Sequence, residues 1–230
     1  MKTALITLSL GVALASAAQG AATFINGDFN DNAASYLVWP GYSGSIGGLG
    51  LATNPAAPTG WTVSATGTGI NSDAVIATDS IAVPTGVGAA VNPFIDNGVE
   101  SNGVLLLQGL SFASQNVSGF TVGESYVLTF DVNSRNCCGD VPEGQLSIGG
   151  SVVIPFTPVA PVGGTNPYNT ISVPFVAPTT SIDFKIEGRP AAGGDATLLV
   201  DNFSIAVVPE PSTLAALTTG LGLALRRRRR

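Results

Sequence analysis

Between residues 125 and 133 apolar and polar side chains alternate. Tyr126, Leu128, Phe130 and Val132 fall on one side, and Ser125, Thr129, Asp131 and Asn133 on the other. A period of two is the signature of a strand with one buried face, because successive side chains of extended backbone point to opposite sides. The pattern recurs at 181–187, with Ile182, Phe184 and Ile186 inward and Asp183, Lys185 and Glu187 outward, and at 170–176, with Ile171, Val173 and Phe175 inward. Shorter runs of the same kind at 61–66, 73–77, 104–109, 112–117, 145–154 and 197–207 predict further strands. Between them stand Gly, Pro, Asn and Asp, and no stretch carries a helical period. The chain therefore reads as all-β, a two-sheet antiparallel β-sandwich with no helix needed in its body. About 186 residues suffice for such a domain to bury roughly 70% of its unfolded surface. Residues 41–58, rich in Gly and Ala with few apolar anchors, predict a long surface loop.

Composition removes several chemistries. The 230 residues include no His, and the single Met is the first residue. Imidazole metal sites, Ser-His-Asp triads and His general bases are excluded. Hydrophobic residues make up 45% and charged residues 10%, far from the composition of a disordered chain.

The two ends are not part of the sandwich. Lys2, an apolar run from Ala4 to Ala15 and small residues from Ser16 to Ala21 make a secretory signal peptide over 1–22, with cleavage expected between Gly20 and Thr23. The apolar run is shorter than the ~20 residues of a spanning helix. At the other end, Pro209-Glu210-Pro211 is followed by a 14-residue apolar stretch, 212–225, and then by Arg226, Arg227, Arg228, Arg229 and Arg230. The order is linker, hydrophobic anchor helix and cytoplasmic stop, since clustered positive charge is retained inside. The division is signal peptide 1–22, β-sandwich 23–207 and sorting signal 208–230.

This tail resembles the PEP-CTERM sorting signal, with Pro209, Glu210 and Pro211 as its motif and the arginines as its basic end. The resemblance implies a Gram-negative envelope protein. After signal peptidase acts, such a protein is held transiently in the inner membrane and processed by an exosortase-type enzyme near the motif, in bacteria that make exopolysaccharide. It also implies a final location at the cell surface or in the extracellular matrix.

Without its ends the chain is strongly acidic: from 23 to 208 three cations, Arg135, Lys185 and Arg189, face fourteen carboxylates, a net of −11. Such a field repels nucleic acid and attracts cations. Several phrases of this region resemble the galactose-binding-like jelly roll of secreted carbohydrate-binding modules. They are Phe24-Ile25-Asn26-Gly27-Asp28-Phe29, Gly60-Trp61, Leu106-Leu107-Gln108-Gly109, Gly123-Glu124-Ser125-Tyr126 and Val200-Asp201-Asn202-Phe203. The resemblance implies a structural calcium where first and last strands meet, and sugar bound on a sheet face or on loops at one end.

Asp201 points to the same ion by another route. If Leu199, Phe203, Ile205 and Val207 face the core, period two turns Asp201 inward, where a carboxylate needs a partner or a metal. Asp28 and Asn26 are the neighbouring oxygen donors; the alternative is that Asp201 sits at a strand bulge and caps backbone amides. An EF-hand reading of Asp28 to Asn32 fails, because Ala33 stands where the turn needs Gly and Trp39 where the bidentate Glu belongs. Adjacent Cys137 and Cys138, in an oxidising compartment, form either a vicinal disulfide platform beside Asn133 and Arg135 that contacts a sugar face, or a structural turn lock. Arg135 and Arg189 are planar two-point donors suited to sugar hydroxyls or a uronate. Trp39, Tyr42 and Tyr168, near loops, are candidates to stack on a pyranose, whereas Trp61 belongs to the core.

These residues predict a non-catalytic exported protein that binds extracellular carbohydrate such as exopolysaccharide. A structural matrix protein without sugar affinity is the second reading. A carboxylate-dependent glycoside hydrolase is the third, since nothing in the sequence selects a pair among the fourteen carboxylates.

Overall fold

A computed structural model describes residues 21–38, 41–46, 53–71, 103–135, 141–162, 167–191 and 196–209. Trp39, Cys137, Cys138, the strand expected at 73–77, the signal peptide up to residue 20, and the tail from Glu210 and Pro211 to Arg226–Arg230 lie outside the described residues. No helix among the described residues is long and apolar enough to cross a membrane.

Ten strands are described: β1 (Thr62–Val63), β2 (Thr68–Asn71), β3 (Val104–Gln108), β4 (Ser111–Ser118), β5 (Ser125–Ser134), β6 (Pro142–Ile148), β7 (Ser151–Pro158), β8 (Asn169–Val176), β9 (Ser181–Pro190) and β10 (Thr197–Val207). They form two five-stranded sheets, ordered β1-β4-β9-β6-β7 and β2-β3-β10-β5-β8. Every pairing is antiparallel. This is the expected two-sheet sandwich. The core lies between the sheets, with Leu128, Phe130, Leu146, Ile182, Phe184 and Leu198 among its buried side chains. The alternation that marked β5 and β9 fills it from both sides.

The span 145–154 is not one strand. It turns back at Gly149-Gly150, with Ile148 opposite Ser151 and both glycines at positive φ (57° and 79°), the geometry of a two-residue hairpin turn. The Phe24–Phe29 phrase is likewise a turn instead of a first strand. Asn26 (φ 51°) and Phe29 (φ 54°) are left-handed, and one bond, from the Phe203 N–H to the Gly27 carbonyl at 2.8 Å, ties the segment to β10. Ala22 is 5% exposed and packs in the core. The mature chain is therefore expected to begin no later than Ala22, and an intact mass starting at Thr23 would contradict this.

A second apolar cluster lies on the outer face of the β2-β3-β10-β5-β8 sheet: Val104, Leu106, Leu199 and Tyr168, with Tyr42 packed against it. Residues 36–38 and 41–46 cover part of this face. The Asn54 amide pins them there, accepting from Val38 N and donating to the Val38 and Tyr42 carbonyls at 2.8–2.9 Å. Tyr36 is fully buried, and its hydroxyl lies 3.2 Å from Ser43 Oγ. Burial pushes its phenol up to about 12, so it stays protonated across the physiological range.

Candidate functional site

The outer face of the β1-β4-β9-β6-β7 sheet has the opposite character. Register places Phe112, Glu187 and Gln145 in one row across β4, β9 and β6, and Ser114, Lys185, Ser147 and Val152 in the next, with β7 added. Arg189 and Glu143 are cross-strand partners, joined Nε to Oε2 at 2.5 Å, and the guanidinium carbon stands 3.9 Å above the Phe156 ring centroid. Lys185 repeats the arrangement, 2.7 Å from Glu187 Oε1 and 4.7 Å over the Phe112 ring. Side chains of Arg189 and Lys185 are 46% and 39% exposed, so both cations are solvent-accessible while held flat on aromatic rings.

The arrangement is preorganised. With Nε committed to Glu143 and the guanidinium carbon over Phe156, the two amino groups of Arg189 remain as parallel donors, the geometry that grips paired oxygens. Adjacent strands repeat about every 4.8 Å, which spaces these donors and acceptors in steps along the face. Farther along, Asn116 Nδ2 donates to Asp183 Oδ1 at 2.8 Å, and both residues are exposed.

A shallow depression of about 580 Å³ lies at the same end of the sandwich, lined by Tyr42, Ser43, Ser45, Thr66, Gln108 and Leu110. A second space, about 200 Å³, opens between the sheets beside Phe130, Leu146, Ile154 and Ile171. Its lining is mostly apolar, with Gln145, Thr157 and Asn169 as its polar members.

Of the described residues expected to bind ligand, Arg189 lies on the open face, and Tyr42 lines the depression. Asn133 is buried (1%), and its amide clamps Val162, accepting from its N–H at 2.6 Å and donating to its carbonyl at 3.3 Å. Arg135 is 6% exposed, and its backbone N–H donates to Thr197 O at 3.1 Å. Tyr168 is buried in the second cluster. Glu143, Phe156, Gln145 and Phe112 were not singled out from the sequence. The outward set on β9 was legible, but its neighbours depend on the β6–β9 and β6–β7 registers.

Asp201 is fully buried, but not by pointing into the core. Leu198 and Val200 face the core, which turns Leu199 and Asp201 to the outer face. Two residues, Asn202 and Phe203, then oppose the single Phe130, and this bulge, with Asn202 at φ 56°, returns Phe203 to the core. Asp201 Oδ1 accepts the Asn202 N–H at 2.7 Å, as the bulge alternative anticipates. Asp28 is exposed, its carboxylate accepting from Asn30 N and Nδ2 (3.4 and 3.1 Å), and Asn26 Oδ1 accepts from Asp31 N at 2.9 Å. Each of the three oxygen donors is thus engaged locally. Among the described residues no three Asp, Glu or Cys side chains gather as a metal site.

Residues 207–230 match the PEP-CTERM protein-sorting motif. No curated protein matches the chain. Among solved structures, TmCBM61 in complex with β-1,4-galactotriose aligns at 12% identity and a TM-score of 0.41, over 65% of this chain and 90% of that one. The CBM22-1 xylan-binding domain from Paenibacillus barcinonensis aligns at 14% identity and 0.38, over 67% and 89%. The C-terminal domain of EclA, a sugar-binding protein, aligns at 17% identity and 0.34, over 40% of this chain and 64% of that domain.

Proposed function

We propose that this is an exported protein, carried by its PEP-CTERM signal, whose sandwich binds extracellular carbohydrate without transforming it. The observation that supports this reading is the open sheet face, where Arg189 is stacked on Phe156 and tied to Glu143. A guanidinium set over an aromatic ring and tied to a carboxylate matches a polyol, whose hydroxyls hydrogen-bond to both ions. Glu143 and Glu187 each lie against a cation and present carboxylate oxygens that accept hydrogen bonds from hydroxyls.

The site lies at the end of the sandwich opposite the tail. β9 ends at Pro190 beside the start of β10, and β10 runs eleven residues, about 36 Å, to Val207. An anchored chain presents its sugar face away from the membrane, toward the exopolysaccharide that is its proposed partner.

The test is retention of the full chain, in mild detergent, on exopolysaccharide and a glycan panel. Arg189→Ala and Phe156→Ala are each expected to weaken retention roughly 10- to 100-fold, the equivalent of a charge-assisted bond. Arg189→Lys should not restore it, because a point charge lacks the planar fork. Melting should change little, since exposed ion pairs contribute little to stability. Retention unchanged in both variants would remove the site; no retention by the natural chain would leave the structural-matrix reading in its place. A structural calcium at Asp28, Asn26 and Asp201 remains a proposal resting on the resemblance, and the same assay repeated with chelator decides it.

A further inference from the structure

Ten large hydrophobic side chains are exposed among the described residues, and four of them stand together where the sorting tail departs: Val122 (59% exposed), Val176 (59%), Val207 (53%) and Val208 (37%). Scattered exposed valines need no explanation. Three of the four, Val122, Val176 and Val208, are gathered by the register, whereas Val207, opposite the core-facing Tyr126, points to the other side of its strand. Val208 N–H donates to the Ser125 carbonyl at 2.9 Å, and Ser125 is the cross-strand partner of Val176. Val208, Ser125 and Val176 therefore form one row across β10, β5 and β8, about 10 Å from end to end. Gly123 N–H donates to Ala177 O at 2.8 Å, which brings the turn carrying Val122 beside Val176.

The chain's course determines what approaches this end. β10 stops at Val207, and Pro209 opens the sorting motif two residues later, about 7 Å of extended chain. A protein that closes on Pro209-Glu210-Pro211 has no room to avoid the strand end above it. A bilayer surface is the poorer occupant. Segments 118–124 and 176–181 contain no Lys, Arg, Trp or Tyr, and the exported region carries a net of −11, whereas interfacial attachment draws on cations and amphipathic aromatics.

We propose that this valine-rich end is a docking face for the membrane-embedded processing enzyme, so that the folded domain, as well as the motif, is recognised. The inference rests on the sorting signal and is independent of sugar binding.

The test is pulse-chase of the full chain in a bacterium that makes the processing enzyme, following the precursor-to-mature ratio by intact mass. The double variant Val122→Ser/Val176→Ser is expected to be processed at least five-fold more slowly, with unchanged melting temperature and glycan retention. A four-residue Gly-Ser insertion between Val208 and Pro209 leaves the domain untouched and moves it away from the motif; it should slow processing as well. Natural rates in both variants would overturn the proposal. So would normal processing combined with loss of binding to phosphatidylethanolamine–phosphatidylglycerol vesicles, which would assign the patch to lipid. Arg189→Ala, in the sugar site, should be processed at the natural rate. A natural chain that is never processed would remove the sorting reading itself, and this proposal with it.

Discussion

Replacing Phe203 by Ala is expected to cost about 4 kcal/mol and to lower the melting temperature by roughly 8–16 °C. Phe203 is the ring that the others share. Its centroid lies 5.0 Å from Phe130, nearly parallel, 5.2 Å from Trp61, 5.3 Å from Phe24 and 6.2 Å from Phe29. These partners come from β5, from the residue preceding β1 and from the N-terminal segment. One truncation therefore opens a cavity and also loosens the segment that β10 holds through the Phe203–Gly27 hydrogen bond. Phe203→Leu keeps most of the buried area and should lose less than half as much. Thermal unfolding followed by circular dichroism measures both; a shift below about 3 °C for the Ala variant would mean that the cluster contributes far less than its geometry implies.

The second large effect is at Gly69, where Ala is expected to cost about 3 kcal/mol, or roughly 6–12 °C. Gly69 forms an isolated bridge with Tyr42, so residues 41–43 lie directly against β2. A Cβ at Gly69 would overlap the Gly41 carbonyl and stand 2.8 Å from the Ser43 amide nitrogen. These are backbone atoms that cannot swing aside. Relief requires giving up the bonds from Ser43 N–H to Thr68 O (2.8 Å) and from Ile70 N–H to Gly41 O (3.0 Å). The same displacement moves Tyr42 and Ser43, which line the depression at that end of the sandwich. Phe203→Ala, inside the core, should spare glycan retention below the melting transition. A Gly69→Ala chain that melts within 2 °C of the natural one would show that residues 41–46 are not seated as described.

The sandwich organises the molecule by direction. Tyr42, Leu110 and Arg189 gather at the end where β9 leads into β10, and the tail leaves from the other end. On the readings proposed above, the first end takes a sugar and the second the processing machinery. Variants at either end are accordingly expected to separate the two activities.

Much of this was legible without coordinates. Alternation along β5, β8 and β9 identified the strands and most of the inward set, because a two-sided environment imposes period two on each strand by itself. The sorting motif was equally legible, since it is read as a linear string. The Gly149-Gly150 hairpin is written in the chain as two adjacent glycines in an apolar run, yet alternation alone carries the strand through them, from 145 to 154. The other failures were non-local. One extra residue at the Asn202 bulge reversed the parity of β10, so Asp201 went to the outer face while Phe203 kept the inward place foreseen for it. No local pattern marks such an insertion.

By itself, then, the sequence determined an all-β exported domain, its acidic character and its sorting signal, since these follow from local periodicity, composition and terminal strings. Only the tertiary structure decided which sheet face is open. Asn133 and Arg135, plausible ligand donors from their place after a strand, are buried under the Val162 loop and beside Thr197. Glu143 and Phe156 meet Arg189 only through the pairing of β6 with β9 and β7. Those contacts depend on register between segments far apart in the chain, and register is settled by the packing of the whole sandwich rather than by any stretch of it.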